Sequence, residues 1–148
     1  PMLWQGQEFG ENYFLPDYGA GRVGLLRSLR WDYFYDEAGH SLVTLVRKLL
    51  RIRRQRVQLR RGSYFFFNHW DRYLSRGVLF FARSLGAQYT LVAVNTNDAE
   101  QRVPFWFPIG GHYVEELHGG SLNLDNIVPL QETWLTIPSN YGRIWTTQ

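Results

Sequence analysis

The stretch GVLFFARSLGAQYTLVAVNTND, residues 77–98, holds two runs rich in aromatic and β-branched residues, separated by Leu85-Gly86-Ala87-Gln88. Short apolar runs bounded by turn residues read as β-strands. The same punctuation continues on both sides. Ser63–Asn68, Gly77–Ser84, Tyr89–Thr96, Arg102–Pro108, His112–Leu117, Glu132–Ile137 and Arg143–Thr147 are strand-like, with turn material such as Asn97–Glu100 and Ser139–Gly142 between them. Strands at this spacing predict an antiparallel sandwich or barrel. Pro104 and Pro108 cannot donate to a ladder, so Arg102–Pro108 is expected at a sheet edge or a bulge.

Upstream of Gly62 the period changes. Leu42, Leu45, Val46, Leu49, Leu50 and Ile52 recur at three- and four-residue spacing, which predicts an amphipathic helix over Ser41–Leu59, with Ser41 as N-cap after a Gly39-His40 turn and Gly62 as the stop. Eight of the 16 Lys and Arg lie between Arg47 and Arg61, where there is no acid. Such a run reads either as a phosphate-binding surface or as a helix face whose Arg stems cover apolar surface while their heads meet acids such as Asp32, Asp36 or Glu37. The second reading is preferred. Outside the window eight bases face thirteen acids, whereas a nucleic-acid module spreads its basic groups over several elements. Nucleic acid is not an expected partner.

The 148 residues are 45% hydrophobic and 17% aromatic, enough for a packed core. There is no Cys, which excludes a disulfide framework and thiolate metal sites and fits a reducing compartment, so a cytoplasmic location is expected. No run approaches the ~18 apolar residues of a membrane span, and no charged-then-apolar leader is seen, so no membrane partner is expected. His40, His69, His112 and His118 lack metal-ligand spacing, and Gly110-Gly111 and Gly119-Gly120 are isolated turns, not a phosphate loop. Neither a metal nor a cofactor is expected.

Two unlike parts result. Residues 1–61 read as apolar strand, long loop and basic helix, and residues 62–148 as a self-contained antiparallel β domain. A single strand followed by a helix has no sheet of its own. It reads as the last member of a parallel αβ array.

Three groups of residues carry a resemblance. Pro1, Gly6 and Glu8 in PMLWQGQEFG resemble a Gly-x-Pro, apolar run, Gly-x-Glu pattern. Leu29-Arg30-Trp31-Asp32, Leu49–Arg54 and Leu59-Arg60-Arg61-Gly62 are similar to a final barrel helix and its exit turn. Gly77–Arg83, Leu91–Thr96 and a closing Leu135–Trp145 hairpin resemble an appended β domain. The resemblance is to the α-amylase superfamily, glycoside hydrolase family 13. It implies a mainly β chain: an antiparallel β-sandwich C-terminal domain, preceded by the remnant strand-loop-helix of a (β/α)8 barrel. It further implies that the chain is the C-terminal part of a retaining, α-glucan-acting enzyme of α-amylase, trehalohydrolase or branching-enzyme type.

On that resemblance the catalytic carboxylates lie on earlier barrel strands, upstream of Pro1. No catalytic residue is carried onto this chain. The stretch after the eighth strand faces the active site, so Gln7, Glu8, Glu11, Asn12 and Tyr13 are candidates for lining sugar subsites. For Glu8 the competing role is structural, bonded to a neighbouring base or backbone amide. Trp70 and Tyr73, in a polar loop, are the candidate sugar-stacking rings, while Trp106 and Trp134 are expected in the core. The expected partners are the parent's catalytic barrel and an α-glucan. The alternatives are an independent starch- or glycogen-binding module and a basic interaction module. Residues 1–4 are expected to lack strand partners, and the apolar stripe of the helix is expected to dock on the β domain, with burial in a homodimer of the fragment as the alternative.

Overall fold

The computed structural model describes residue 3 and residues 5–12, 18–20 and 29–148. These fall into two compact units, Pro1–Arg51 and Ile52–Gln148. Among the described residues no helix is long and apolar enough to cross a membrane.

In the first unit, Gln7–Phe9 form one 3-10 turn, followed by helix α1, Trp31–Tyr35, and the start of helix α2, Glu37–Gln55. Helix α2 begins four residues earlier than the expected N-cap, so Ser41 lies inside it. Gly39, expected in a turn, is a buried helical residue. A Cβ there would stand 1.7 Å from the Tyr33 carbonyl oxygen, so only glycine lets α1 and α2 approach so closely. Its N–H donates to Asp36 Oδ1 at 2.6 Å. Pro1, Met2 and Trp4 lie outside the described residues, so the expected opening strand is represented only by Leu3, which is exposed and in no strand.

The second unit takes in the end of α2, the short helix α3 (Gln58–Arg61) and strands β1 (Ser63–Phe66), β2 (Val78–Leu85), β3 (Gln88–Asn95), β4 (Gln101–Trp106), β5 (Gly111–Glu115), β6 (Leu124–Ile127), β7 (Glu132–Ile137) and β8 (Gly142–Thr147). The single expected helix is thus broken after Gln55, while the stop at Gly62 stands, its N–H donating to the Gln58 carbonyl. Among the described residues all pairings are antiparallel. One sheet has the order β1-β2-β3-β8-β5-β6 and the other is the pair β4-β7.

The inward faces of the two sheets share one core. Phe80, Leu91, Tyr113 and Trp145 of the larger sheet meet Val103, Phe105, Leu135 and Ile137 of the smaller one. Burying each such side chain contributes ~1.5–3 kcal/mol, and aromatic contacts such as Phe80–Phe105, centroids 5.3 Å apart, add to it. This is the antiparallel β-sandwich expected, with Pro104 on an edge strand of the two-stranded sheet. The expected hairpin over Leu135–Trp145 does not form. β7 pairs with β4 and β8 with β3 and β5, so the chain changes sheet between Ile137 and Gly142.

Candidate functional site

In the first unit, Gly6 takes φ 92°, a left-handed turn that brings its carbonyl within reach of the Phe9 N–H at 3.2 Å and the Glu11 N–H at 3.0 Å. A side chain at Gly6 would meet Glu11 Oε2 at 2.2 Å. Glu8 folds back so that Oε2 accepts the Gly6 N–H at 3.1 Å, and Glu11 Oε1 accepts the Arg30 N–H at 3.3 Å. Asn12 Oδ1 accepts the Tyr33 hydroxyl at 2.8 Å. Both candidate carboxylates therefore hold backbone amides, as the structural role for Glu8 anticipated. Gln7 is exposed on the same turn. Tyr13 lies outside the described residues.

This turn forms one wall of an open hollow of about 520 Å³. Its apolar lining comes from Phe9, Trp31 and Phe34, whose rings stand 5.8–6.1 Å apart, and from Val43, Val46 and Leu50 of α2. Gln5, Glu8 and Arg47 are the polar lining. Trp31 and Phe34 are not among the site candidates read from the sequence, although their i, i+3 spacing places both on one face of a helix. On the surface of this unit Arg30 Nη2 donates to Asp32 Oδ2 at 2.6 Å, and this partner holds the Asp32 carboxyl below its ordinary range and Arg30 above its own. A hollow with aromatic walls and a single carboxylate tied to its own turn can hold an apolar or sugar-like face. Among the described residues lining it, Glu8 is the one carboxylate.

In the second unit the four aromatic candidates separate. Trp70 is 68% exposed in its loop. Tyr73 is 2% exposed, its ring 4.8 Å from Phe80 and its hydroxyl donating to the Pro104 carbonyl at 2.9 Å, so it is a core residue and cannot present a face to a sugar. Trp134, expected in the core, is 47% exposed; it lies on the outward phase of β7, opposite in alternation to Leu135 and Ile137. Its ring has the Arg102 guanidinium 5.4 Å above it, and its indole N–H donates to Glu132 Oε1 at 2.8 Å. Trp106 is half-buried, with the Arg72 guanidinium 4.8 Å above its ring.

The basic run serves structure in part. Arg56 Nε donates to Glu116 Oε1 at 2.6 Å, and Arg53 Nη1 donates to the Leu59 carbonyl at 2.6 Å. The Arg56 head thus meets an acid, Glu116, outside the examples Asp32, Asp36 and Glu37. Among the described residues no group of three or more His, Asp and Glu could hold a metal ion. His112 is instead hydrogen-bonded to Asp125 across β5 and β6.

No protein-family model and no curated relative matches the chain. Solved structures do. An α-amylase from Anoxybacillus, described as a new glycosyl hydrolase subclass, superposes with a TM-score of 0.58 at 20% identity, over 72% of this chain and 22% of that one. AmyP in complex with maltose gives 0.61 at 16% identity, over 75% and 21%. CldA, a cyclomaltodextrin glucanotransferase of three-domain ABC distribution, gives 0.54 at 26% identity, over 72% and 22%. The fold is that of part of the α-amylase-type enzymes, as the resemblance in the sequence implied. The chain spans about a fifth of the length of the structures it matches.

Proposed function

We propose that this chain is the C-terminal part of an enzyme that makes or breaks α-glucosidic bonds with retention, residues 1–61 being the end of its (β/α)8 barrel and residues 62–148 a β-sandwich that braces the barrel. The carrying observation is the match to α-amylase and glucanotransferase structures over roughly three quarters of this chain and only about a fifth of theirs. The site geometry agrees. Retaining chemistry needs two carboxyl groups about 5–5.5 Å apart across one glycosidic bond, and Glu8 and Glu11 are each engaged with a backbone amide. In this reading the turn Gly6–Glu11 forms part of the sugar-facing rim, with Gln7 its exposed side chain, and Phe9, Trp31 and Phe34 cover a wall of the barrel. An α-glucan and the preceding barrel are the partners. The test is to express the chain alone and joined to the upstream portion of its gene, and to assay both on starch and maltooligosaccharides. Activity confined to the longer protein supports the proposal, and activity of the longer protein on a non-glucan substrate alone refutes it.

A second reading, an independent glucan-binding module, is favoured by the exposure of Trp70 and Trp134. Retention on insoluble starch, abolished by Trp70→Ala or Trp134→Ala, separates it from the first.

A further inference from the structure

Among the described residues, strand β1 is an unpaired edge of the six-stranded sheet. It pairs with β2 on one side only, in the register Phe65↔Ala82 and Phe66↔Phe81, and the Phe67 N–H continues the ladder by donating to the Phe80 carbonyl at 3.0 Å. In an antiparallel ladder both backbone groups of a residue point the same way and neighbouring residues alternate. Phe67 faces β2, so Phe65 and Ser63 face it too. The N–H and C=O of Tyr64 and Phe66 therefore point outward, away from the sheet.

Two other edges of this unit carry devices against pairing. β4 contains Pro104, and its Arg102 and Pro104 carbonyls already accept from Arg76 Nη1 at 3.3 Å and from the Tyr73 hydroxyl at 2.9 Å. β6 places the charged Asp125 and Asn126, at φ 55°, in four residues, and its register against β5 shifts. β1 has none of these. Ser63–Asn68 holds no charge and no Pro, and Tyr64 and Phe65 are 58% and 59% exposed. An uncharged aromatic edge is a template for a further strand.

We infer that this edge pairs with β1 of a second copy of the chain, antiparallel across a two-fold axis at Phe65. The choice of a second copy follows from self-complementarity. With Phe65 opposite its counterpart, Tyr64 of each chain lies opposite Phe66 of the other, and both pairs exchange two backbone hydrogen bonds. The outward donors and acceptors of Tyr64 and Phe66 are then all satisfied, and no like charges meet. The contact is isologous, so it closes as a dimer. Four residues a side bury far less than the ~1,600 Å² of a stable interface, so the dimer is weak and reversible, joining the two six-stranded sheets edge to edge. This goes beyond the glucan reading and does not depend on it: a monomer would leave that reading untouched, and inactivity on glucans would leave this one untouched.

Because the chain has no Cys, Phe65→Cys introduces a single thiol. Facing residues at a non-hydrogen-bonded antiparallel position have Cβ atoms about 4.5–5.5 Å apart, close enough for a disulfide after small adjustment. Mild oxidation of the full 148-residue Phe65→Cys chain should give a covalent dimer, while Trp70→Cys, at least as exposed but off the edge, should stay largely monomeric. Sedimentation velocity of the unmodified chain should show mass rising toward twice the monomer as concentration increases to about 100 µM, and Phe65→Lys should raise the dissociation constant at least about tenfold. Circular dichroism of each variant verifies the fold, and the unmodified chain decides the question even if a variant fails to fold. A monomer at every concentration, or cross-linking at position 65 no faster than at position 70, would overturn the inference.

Discussion

Gln58 Nε2 donates to Thr90 Oγ1 at 2.9 Å, and Thr90 Oγ1 lies 3.0 Å from Thr146 Oγ1, so a buried polar chain links α3 to β3 and β8. All three residues are buried. Leaving a buried hydroxyl short of a partner costs ~1–3 kcal/mol. Gln58→Leu should therefore lower stability by about that amount in urea unfolding. The double variant Gln58→Leu/Thr90→Val should lose less than the sum of the single losses. Additive losses would show that the two side chains act independently.

Glu115 is a second buried polar anchor. Its carboxylate accepts the backbone N–H groups of Leu117 at 3.2 Å, His118 at 2.6 Å, Gly119 at 3.1 Å and Ile144 at 3.3 Å, tying the turn after β5 to β8. Glu115→Ala orphans these donors and is expected to cost about 3 kcal/mol or more, with Glu115→Gln intermediate, since charge-assisted bonds are the stronger ones. Equal midpoints for Gln and Glu at position 115 would remove the charge from the explanation.

Much of the fold could be read in the sequence because the aromatic and β-branched runs coincide with strands that bury one face. The misses have local causes. Leu124-Asp125-Asn126-Ile127 forms β6 with two polar residues of four and one at positive φ, so it lacks a strand-like run. Gly39 looked like a turn because only the neighbouring Tyr33 carbonyl makes a helical glycine necessary. Adjacent sequence suggested that β7 and β8 form a hairpin, but strands of a sandwich can change sheet between neighbours, and periodicity cannot show which sheet they join. In the candidate site, the polar loop around Tyr73 hid a ring that packs on Phe80, just beyond the loop on β2, and bonds the Pro104 carbonyl, which is distant in sequence. The outward phase of Trp134 was legible, since it alternates with Leu135 and Ile137.

Burial raises the phenol pKa of Tyr73, Tyr89 and Tyr113 above the ordinary tyrosine value, most strongly for the last two. The fold favours the neutral form of each. That contribution is fully present below the unfolded value of roughly 10 and is lost as pH rises from there toward the folded value, because the unfolded chain releases protons the folded chain keeps. Denaturant midpoints should be insensitive to these groups up to about pH 10 and then fall, with a shallower fall in Tyr89→Phe. Absorbance titration should show these phenols ionising last, together with unfolding. If all nine tyrosines titrated near pH 10 in a chain that stayed folded, the burial argument would fail.

Trp70 and Tyr73 sit three residues apart with opposite roles. Tyr73→Ala removes a core ring and should cost ~3–5 kcal/mol. Trp70→Ala should change stability by no more than ~0.5 kcal/mol. Thermal unfolding of both variants checks this, and a large loss at Trp70 would mean that its ring is packed.

The proposal tested most directly is that this chain is part of an α-glucan enzyme whose reacting carboxylates lie elsewhere. The most direct measurement is reducing-sugar release from starch, glycogen and maltooligosaccharides by the purified chain. A nucleophile and a proton donor must be held on opposite sides of one bond to within about half an ångström, whereas Glu8 and Glu11 are bound to the Gly6 and Arg30 amides. The account predicts no release above buffer. Turnover by this chain alone that disappears in Glu8→Gln would contradict it, placing the reaction on the turn Gly6–Glu11.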